Sequence, residues 1–322
     1  MNVIRISEHG GPEKLRLENI TLPAPSVGEV LIHHCAIGVN FIDIYHRRGL
    51  YPLPLPTGLG VEAVGRIVGL GAGVEGFQLG ETVAYVMEPI GAYAEQALVS
   101  AQHVFHVPED LDPKILAASL LKGLTAAYLL HKTVAVGPKM KILIHAAAGG
   151  VGQLMCQWAS QLGATVIGSV GNLEKAHIAR RCGCAEVILY RQENLVDRVL
   201  QLTGGIGVDV VYDSVGADTF QDSLKACRSR GLVVSFGNAS GPVPTFSPLL
   251  LTQHGSLFLT RPTLAHYIKN PDEKAELLEI LFCKLRTCAL NIEHQCFPLA
   301  ESAQAHRALE SGETTGSLIL IP

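Results

Sequence analysis

Several things are missing from this sequence, and each absence narrows the possibilities. No uncharged apolar run in the 322 residues reaches the ~18 needed to span a membrane as a helix. The first residues, MNVIRISEHGG, have no long apolar core of the secretory-signal kind. There is no basic tract. Lys and Arg number 25 against 29 Asp and Glu, a net charge of −4, so nucleic acid has no electrostatic footprint here. Charged residues are scarce at 17%, which predicts extensive burial or a subunit interface. None of the eight cysteines forms a C-x-x-C pair, and Cys182-Gly-Cys184 has no partner cluster at metal-ligand spacing. They read as reduced thiols of a cytoplasmic protein. No His-x-x-x-His occurs, and His33 and His34 fall in a predicted strand, on opposite faces. Asp213 and Ser214 are adjacent with no His partner in evidence, which leaves a hydrolase triad without support.

What is present centres on Lys141 to Gly152, KILIHAAAGGVG. Ile142 to Ile144 suit a buried strand and are too few for a helix. Small residues follow from Ala146 to Gly150. Val151, Leu154, Met155, Trp158, Ala159 and Leu162 then recur at helical spacing. Strand, tight turn and helix together make a seat for a diphosphate, whose charge sits at the helix N-terminus. Ala147 stands where the G-x-G-x-x-G pattern has its first glycine, so the motif is imperfect.

The chain length predicts two domains. Residues 1 to about 110 are rich in Gly and Pro, with short runs that read as strands: Val3–Ile6, Glu29–Ala36, Ala63–Val68, Glu81–Val86 and Gln96–Val99. They suggest a β-rich barrel. Pro113 opens a long helical stretch through about Thr133. From Lys141 the pattern alternates. Strands are predicted at Lys141–His145, Ala164–Ser169, Ala185–Tyr190, Val208–Asp213 and Leu232–Phe236, with helices near 151–162, 173–182, 193–203 and 217–229. This is the signature of an α/β fold with a doubly wound parallel sheet. A strand at Ser256–Thr260, helices at Pro271–Leu285 and Ala300–Ser311, and a strand at Gly316–Ile321 complete the chain.

The end of the second strand of the alternating part is informative. An NAD site usually has an Asp or Glu there to hold the ribose 2′-OH. This chain reads Gly168-Ser169-Val170-Gly171, with Lys175 on the next helix. A missing anion and a nearby cation favour a 2′-phosphate, and hence NADPH.

Several stretches resemble one family: AIGVNFIDIYHRRGLYP (36–52), PTGLGVEAVGRIVGLGAGV (56–74), LLKGLTAAYLL (120–130), HAAAGGVGQLMCQWA (145–159), VVYDSVG (210–216), LVVSFGNASG (232–241) and LTRPTL (259–264). They are similar to the zinc-independent quinone oxidoreductases of the medium-chain dehydrogenase/reductase superfamily, the zeta-crystallin-like branch, and most to the bacterial ones. The resemblance implies a GroES-like domain over 1–123, completed by 264–322, and a Rossmann domain over 124–263. Zinc members carry Cys, His and Cys where this chain has Asn40, Val61 and Lys122, and the four-Cys structural lobe is absent after Tyr85. An amide, an isopropyl group and a cation cannot supply the three ligands of a catalytic zinc, so no metal is expected.

The resemblance further implies site residues. Asn40, Phe41, Ile42, Asp43 and Tyr45 would wrap the nicotinamide end of NADPH, with Asn40, Tyr45 and Tyr51 fronting the acceptor in a cleft between the domains. Tyr128 would lie on the cofactor. Gly150 and Val151 would hold the diphosphate, and Gly171, Lys175 and Tyr190 the 2′-phosphate. Ser214 ends another strand, where doubly wound sheets bind ligands, and Phe236, Gly237 and Asn238 would line the nicotinamide ribose side, with Arg261 and Pro262 beyond. Relatives often have a basic residue in a C-terminal L-E-S-R segment, whereas this chain has Gly312. Loss of one charge-assisted bond, about 1.5–3 kcal/mol, would weaken selectivity for NADPH over NADH. Tyr51 reads equally as an interface aromatic, and Asp43 as a structural acceptor rather than an acid. The expected activity is NADPH-dependent quinone reduction by a homodimer, with Ser256–Thr260 as a candidate pairing edge. The alternatives are enone or alkenal reduction and, in another class, a cofactor-binding structural or RNA-binding protein.

Overall fold

The computed structural model describes residues 1–322. The chain divides into two units, 1–122 with 281–322, and 123–280. The first unit opens with β1 (Asn2–Ile6), β2 (Arg16–Asn19) and β3 (Glu29–Val39), then helix α1 (Phe41–Arg48). Next come β4 (Thr57–Gly58), β5 (Glu62–Leu70), β6 (Thr82–Val86), β7 (Gln96–Ser100) and β8 (Phe105–His106). Helix α2 (Pro113–Ala127) ends in a π-helical turn, Tyr128–Thr133. By length and composition this segment could cross a membrane, but 78% of its most apolar window is buried within the protein, as in a core helix.

Strict alternation follows: β9 (Lys141–His145), α3 (Gly150–Gln161), β10 (Thr165–Val170), α4 (Leu173–Arg181), β11 (Glu186–Leu189), α5 (Leu195–Thr203), β12 (Val208–Asp213), α6 (Phe220–Ala226) and β13 (Cys227–Ser235). The chain then runs through α7 (Leu249–Gln253), β14 (Phe258–Thr260), α8 (Leu264–Tyr267), α9 (Pro271–Arg286), β15 (His294–Pro298), α10 (Ser302–Glu310) and β16 (Ser317–Ile321).

Three expectations need correction. The helix expected over 217–229 stops at Ala226, and β13 begins at Cys227. Its first pair, Val208 with Cys227, precedes a register shift, after which Val210 meets Leu232. Arg230 inside the shift has φ 56°, which no strand periodicity reports. Helix α1 lies between the expected strands Glu29–Ala36 and Ala63–Val68, where no element was expected. The second crossing between units falls at Leu281, later than the expected 264. Residues from Leu264 onward are tied to the second unit by Tyr267, stacked on Tyr128 with centroids 4.3 Å apart, and by Glu276, 2.6 Å from Lys132.

In the second unit the sheet order is β11-β10-β9-β12-β13-β14, all parallel. The direction of winding reverses between β9 and β12, the switch point at whose strand ends such sheets bind ligands. Its strands are apolar and buried over their central residues, as in parallel sheets packed against helices. The turn after β9 is tight. Ala146 takes a left-handed φ of 50°, and a Cβ on Gly152 would lie 2.3 Å from Ala146 O. Gly152 therefore lets α3 close onto the turn. Gly168 on β10 explains the imperfect motif: a Cβ there would meet the Ala147 methyl at 2.8 Å and Cys184 Sγ at 2.8 Å. The methyl that the motif does not expect is accommodated by a missing one on the neighbouring strand.

In the first unit, one sheet follows the order β15-β16-β3-β5-β6-β8, with β7 also on β3, and a smaller one the order β2-β1-β4. Here α1 is anchored by a directional buried network. Arg47 Nη1 donates to His306 Nδ1 at 2.9 Å, which places the imidazole proton on Nε2. His306 Nε2 then donates to Tyr93 Oη at 3.0 Å, and the Tyr93 hydroxyl donates to Asp43 Oδ2 at 2.9 Å. Arg47, with a fully buried side chain, also pairs with Glu310 at 2.6 Å. Burial pulls His306 down to about 3, with Arg47 adding to the effect, so it stays neutral.

Two measurements test this packing. Gly168→Ala should cost about 1–3 kcal/mol through overpacking against Ala147, read as a lower urea midpoint at unchanged slope. Asp43 provides the second. Burial raises it from 3.8 to about 7, against the bonds from Asn40 and Tyr93. The folded state thus keeps a proton that the unfolded chain has released. The resulting stability is full below about pH 4 and is lost as pH rises through about 7. Asp43→Asn removes that titration, so in denaturation series the variant should gain on wild type as pH is raised across this window. Parallel pH profiles would remove Asp43 from the account.

Candidate functional site

In the first unit the candidate residues gather around the start of α1. Asn40 is its N-cap in extended geometry, and Asp43 closes a capping box by accepting from Asn40 N at 2.8 Å. The N-x-x-D spacing was the available signal for this helix. The Asn40 side chain is clamped at both ends: Nδ2 donates to Glu62 Oε1 at 2.7 Å, and Oδ1 accepts from Lys122 Nζ at 2.9 Å. Lys122 also reaches Val39 O at 3.1 Å and lies 4.0 Å from Glu62. Glu62 Oε2 accepts from Leu121 N at 2.8 Å. Burial raises Glu62 and lowers Lys122, and each charge opposes the shift of the other. The amide orientation is therefore set by an ammonium on one side and a carboxylate on the other. Gly38 permits this arrangement, since a Cβ there would lie 2.0 Å from Glu62 Oε1.

Aromatic rings flank the same helix. Tyr45 meets Tyr51 edge to face at 5.4 Å between centroids, and Phe41 lies 6.2 Å from Tyr45. Tyr45 is buried, Phe41 and Ile42 are half-buried, and Tyr51 is 36% exposed. Asp43 is wholly buried and supports the helix start and Tyr93.

In the second unit, every strand of the parallel sheet has a candidate residue at or just beyond its C-terminal end. Gly150 and Val151 open α3 after β9, with Gly149 as N-cap. Gly171 follows β10. Lys175 lies in the first turn of α4, where the Asn172 side chain accepts from its backbone N at 2.9 Å. Tyr190 follows β11 and is half-exposed. Ser214 follows β12. Phe236, Gly237 and Asn238 follow β13, and a Cβ on Gly237 would lie 2.2 Å from Ser214 O, so these two loops touch backbone to backbone. Arg261 and Pro262 follow β14, and Arg261 Nη1 donates to Ser235 O at 3.1 Å. Tyr128 is buried against Tyr267, and burial raises its phenol while the Arg261 charge opposes that.

The sequence reading missed a chain of buried groups beneath these ends. Ser223 Oγ donates to Asp213 Oδ2 at 2.8 Å, so it accepts from His145 Nε2 at 3.0 Å. His145 Nδ1 in turn accepts from Ser169 Oγ at 2.9 Å. Asp213 does have a histidine connection, through a serine rather than directly. The order differs from a hydrolase triad, in which the acid orients the imidazole and the serine is accessible. Ser223 is fully buried. The only sequence signal was the polar ends of otherwise apolar strands.

A dinucleotide fits this edge. The turn at Ala146–Gly149 is small enough for a diphosphate to approach. No carboxylate stands at the end of β10, and the space where a Cβ of Gly171 would stand is edged by Tyr190 Oη at 3.0 Å.

Comparisons with known proteins agree with this fold. Residues 26–109 match the alcohol dehydrogenase GroES-like domain model, and residues 150–279 match the zinc-binding dehydrogenase model. A quinone oxidoreductase of Pseudomonas aeruginosa is 46% identical over 99% of this chain and 99% of its own. A 2-haloacrylate reductase of Burkholderia is 43% identical over 98% of each. The crystal structure of Escherichia coli quinone oxidoreductase complexed with NADPH superposes with a TM-score of 0.98 at 44% identity, covering 100% of both chains. With a β-rich GroES-like unit, a parallel sheet wound about β9 and relatives alike from end to end, the chain belongs to the quinone oxidoreductases of the medium-chain dehydrogenase/reductase superfamily.

Proposed function

We propose that this protein reduces quinones with NADPH, without a metal. One observation carries the cofactor half of the reading: β10 is followed by a glycine, Gly171, flanked by a phenol and succeeded by Lys175, where an NAD site has an acid. The Escherichia coli structure, described as complexed with NADPH, supports it. When bound, NADPH supplies the reducing equivalents. The protein's part is binding and orientation. The free N–H groups at the start of α3, at Gly150 and Val151, hold the diphosphate. Gly171, Lys175 and Tyr190 receive the 2′-phosphate. Ser214, Phe236, Gly237, Asn238, Arg261, Pro262 and Tyr128 shape the ribose and nicotinamide end.

On the acceptor side, Asn40 offers an amide whose orientation is fixed, and Tyr45 and Tyr51 offer ring faces and edges suited to a flat ring. Both Glu62 oxygens are engaged in hydrogen bonds, and Asp43, wholly buried, uses Oδ2 to hold Asn40 N and the Tyr93 hydroxyl, so we assign both carboxyls to positioning. A quinone suits such a site because it spreads the incoming charge over its own oxygens. The likeness to a 2-haloacrylate reductase favours a second reading, reduction of an activated double bond, which additionally requires a proton at carbon. For assembly we infer a homodimer. The outer edge of β14 has no strand beside it within the chain, and Phe258 is exposed there.

A panel of ortho- and para-quinones and small alkenals should show NADPH oxidation fastest with quinones, and slower with NADH throughout. Faster turnover of alkenals would transfer the assignment to the second reading. Lys175→Glu should raise KM for NADPH by about 10- to 100-fold, the equivalent of one charge-assisted contact, and change KM for NADH little. Equal losses for both cofactors would remove Lys175 from the 2′-phosphate site.

A further inference from the structure

The end of β11 holds one side chain that the reading above does not use. β10 and β11 run parallel with Val170 beside Leu189, and Tyr190 N donates to Val170 O at 3.2 Å. The residues after the two strands therefore leave the sheet side by side. A Cβ on Gly171 would lie 3.0 Å from Tyr190 Oη and 3.4 Å from Arg191 Nε. Both side chains thus fold back over the end of β10 instead of following their own turn into solvent.

No internal partner explains that pose for Arg191. Its guanidinium is exposed and enters no ion pair. The acid of the same turn, Glu193, is engaged elsewhere: it accepts from Leu189 N at 2.8 Å and lies 3.8 Å from Arg198. Glu174, in the first turn of α4, is the carboxylate next to Lys175 in sequence. An unpaired guanidinium, a phenol and a lysine on the adjoining helix turn are thus the groups offered around a glycine that leaves room for a ligand.

We propose that Arg191 is a specificity-determining residue for the dinucleotide, donating its guanidinium to the ribose 2′-phosphate alongside Lys175 and Tyr190. This rests on the NADPH reading. A phosphate monoester carries about −1.5 to −2 charge at neutral pH, more than one lysine neutralises. The planar N–H fork of arginine matches phosphate oxygens in a way that an ammonium does not. Neither group has a role toward the unphosphorylated ribose of NADH, so Arg191 acts on discrimination rather than on dinucleotide binding in general.

Calorimetric titration of the full chain with 2′,5′-ADP and with 5′-AMP tests this without turnover. Arg191→Ala should weaken 2′,5′-ADP about tenfold and leave 5′-AMP within about twofold, and Arg191→Lys should recover part of the loss. If Arg191→Ala binds 2′,5′-ADP as wild type does while Lys175→Glu loses it, the role of Arg191 is overturned and the NADPH reading stands. If the wild-type chain does not distinguish 2′,5′-ADP from 5′-AMP, the NADPH reading falls and the proposal with it.

Discussion

The C-terminal edge of the parallel sheet depends on one buried hydrogen-bond chain, Ser169 to His145 to Ser223 to Asp213. It fastens the ends of β10, β9 and β12 to each other and to α6. The loops proposed to grip the dinucleotide spring from those ends. Burial lowers His145, which keeps the imidazole neutral and able to accept at one nitrogen while donating at the other. Each buried member left unpaired would cost about 1–3 kcal/mol. Asp213 extends the chain outward by accepting from Val215 N and Gly216 N at 2.9 and 3.0 Å, which sets the loop that begins at Ser214. Strand register and loop shape are thereby coupled.

The first unit solves a different problem, the placement of a neutral amide among buried charges. Lys122 and Glu62 are expensive to bury singly and are tolerable together, each hydrogen-bonded to Asn40 as well as facing the other. The three positions that bear zinc ligands elsewhere in the superfamily hold an amide, an isopropyl group and an ammonium. Here the ammonium makes the amide rigid. The second network, from Arg47 through His306 and Tyr93 to Asp43, ties the same helix start to α10 near the C-terminal end of the chain. Residues far apart in sequence thus hold Asn40 in place from two directions.

Much of the fold was legible. The alternation after Lys141 marks β9 to β12 and the helices between them, because apolar runs of strand length and helical spacings are local properties of the chain. The start of β13 was illegible: Cys227 to Arg230 extend the preceding helical pattern, and only pairing with Val208 makes them a strand. Helix α1 was passed over because eight residues give a weak periodicity, although Asn40 and Asp43 spelled its cap. Strand β15 was not anticipated because His294–Pro298 is mostly polar and ends in proline, and its place beside β16 is a long-range pairing. The imperfection at Ala147 could not be judged from the motif alone, since Gly168, the residue that accommodates it, lies on another strand.

The amino-acid sequence by itself determined the alternation of strands and helices, the small-residue turn after β9 and the absence of an acid at the end of β10, since each of these follows from residue identity and local spacing, whereas the replacement of the three zinc ligands is what the family resemblance implies. Tertiary structure decided which distant groups meet: the amide of Asn40 between Lys122 and Glu62, His145 between two serines, Tyr128 on Tyr267, and Arg191 folded back over Gly171. A side chain's partners depend on strand register and on the direction in which it leaves the backbone, and both are set by packing over the whole unit rather than by neighbouring residues.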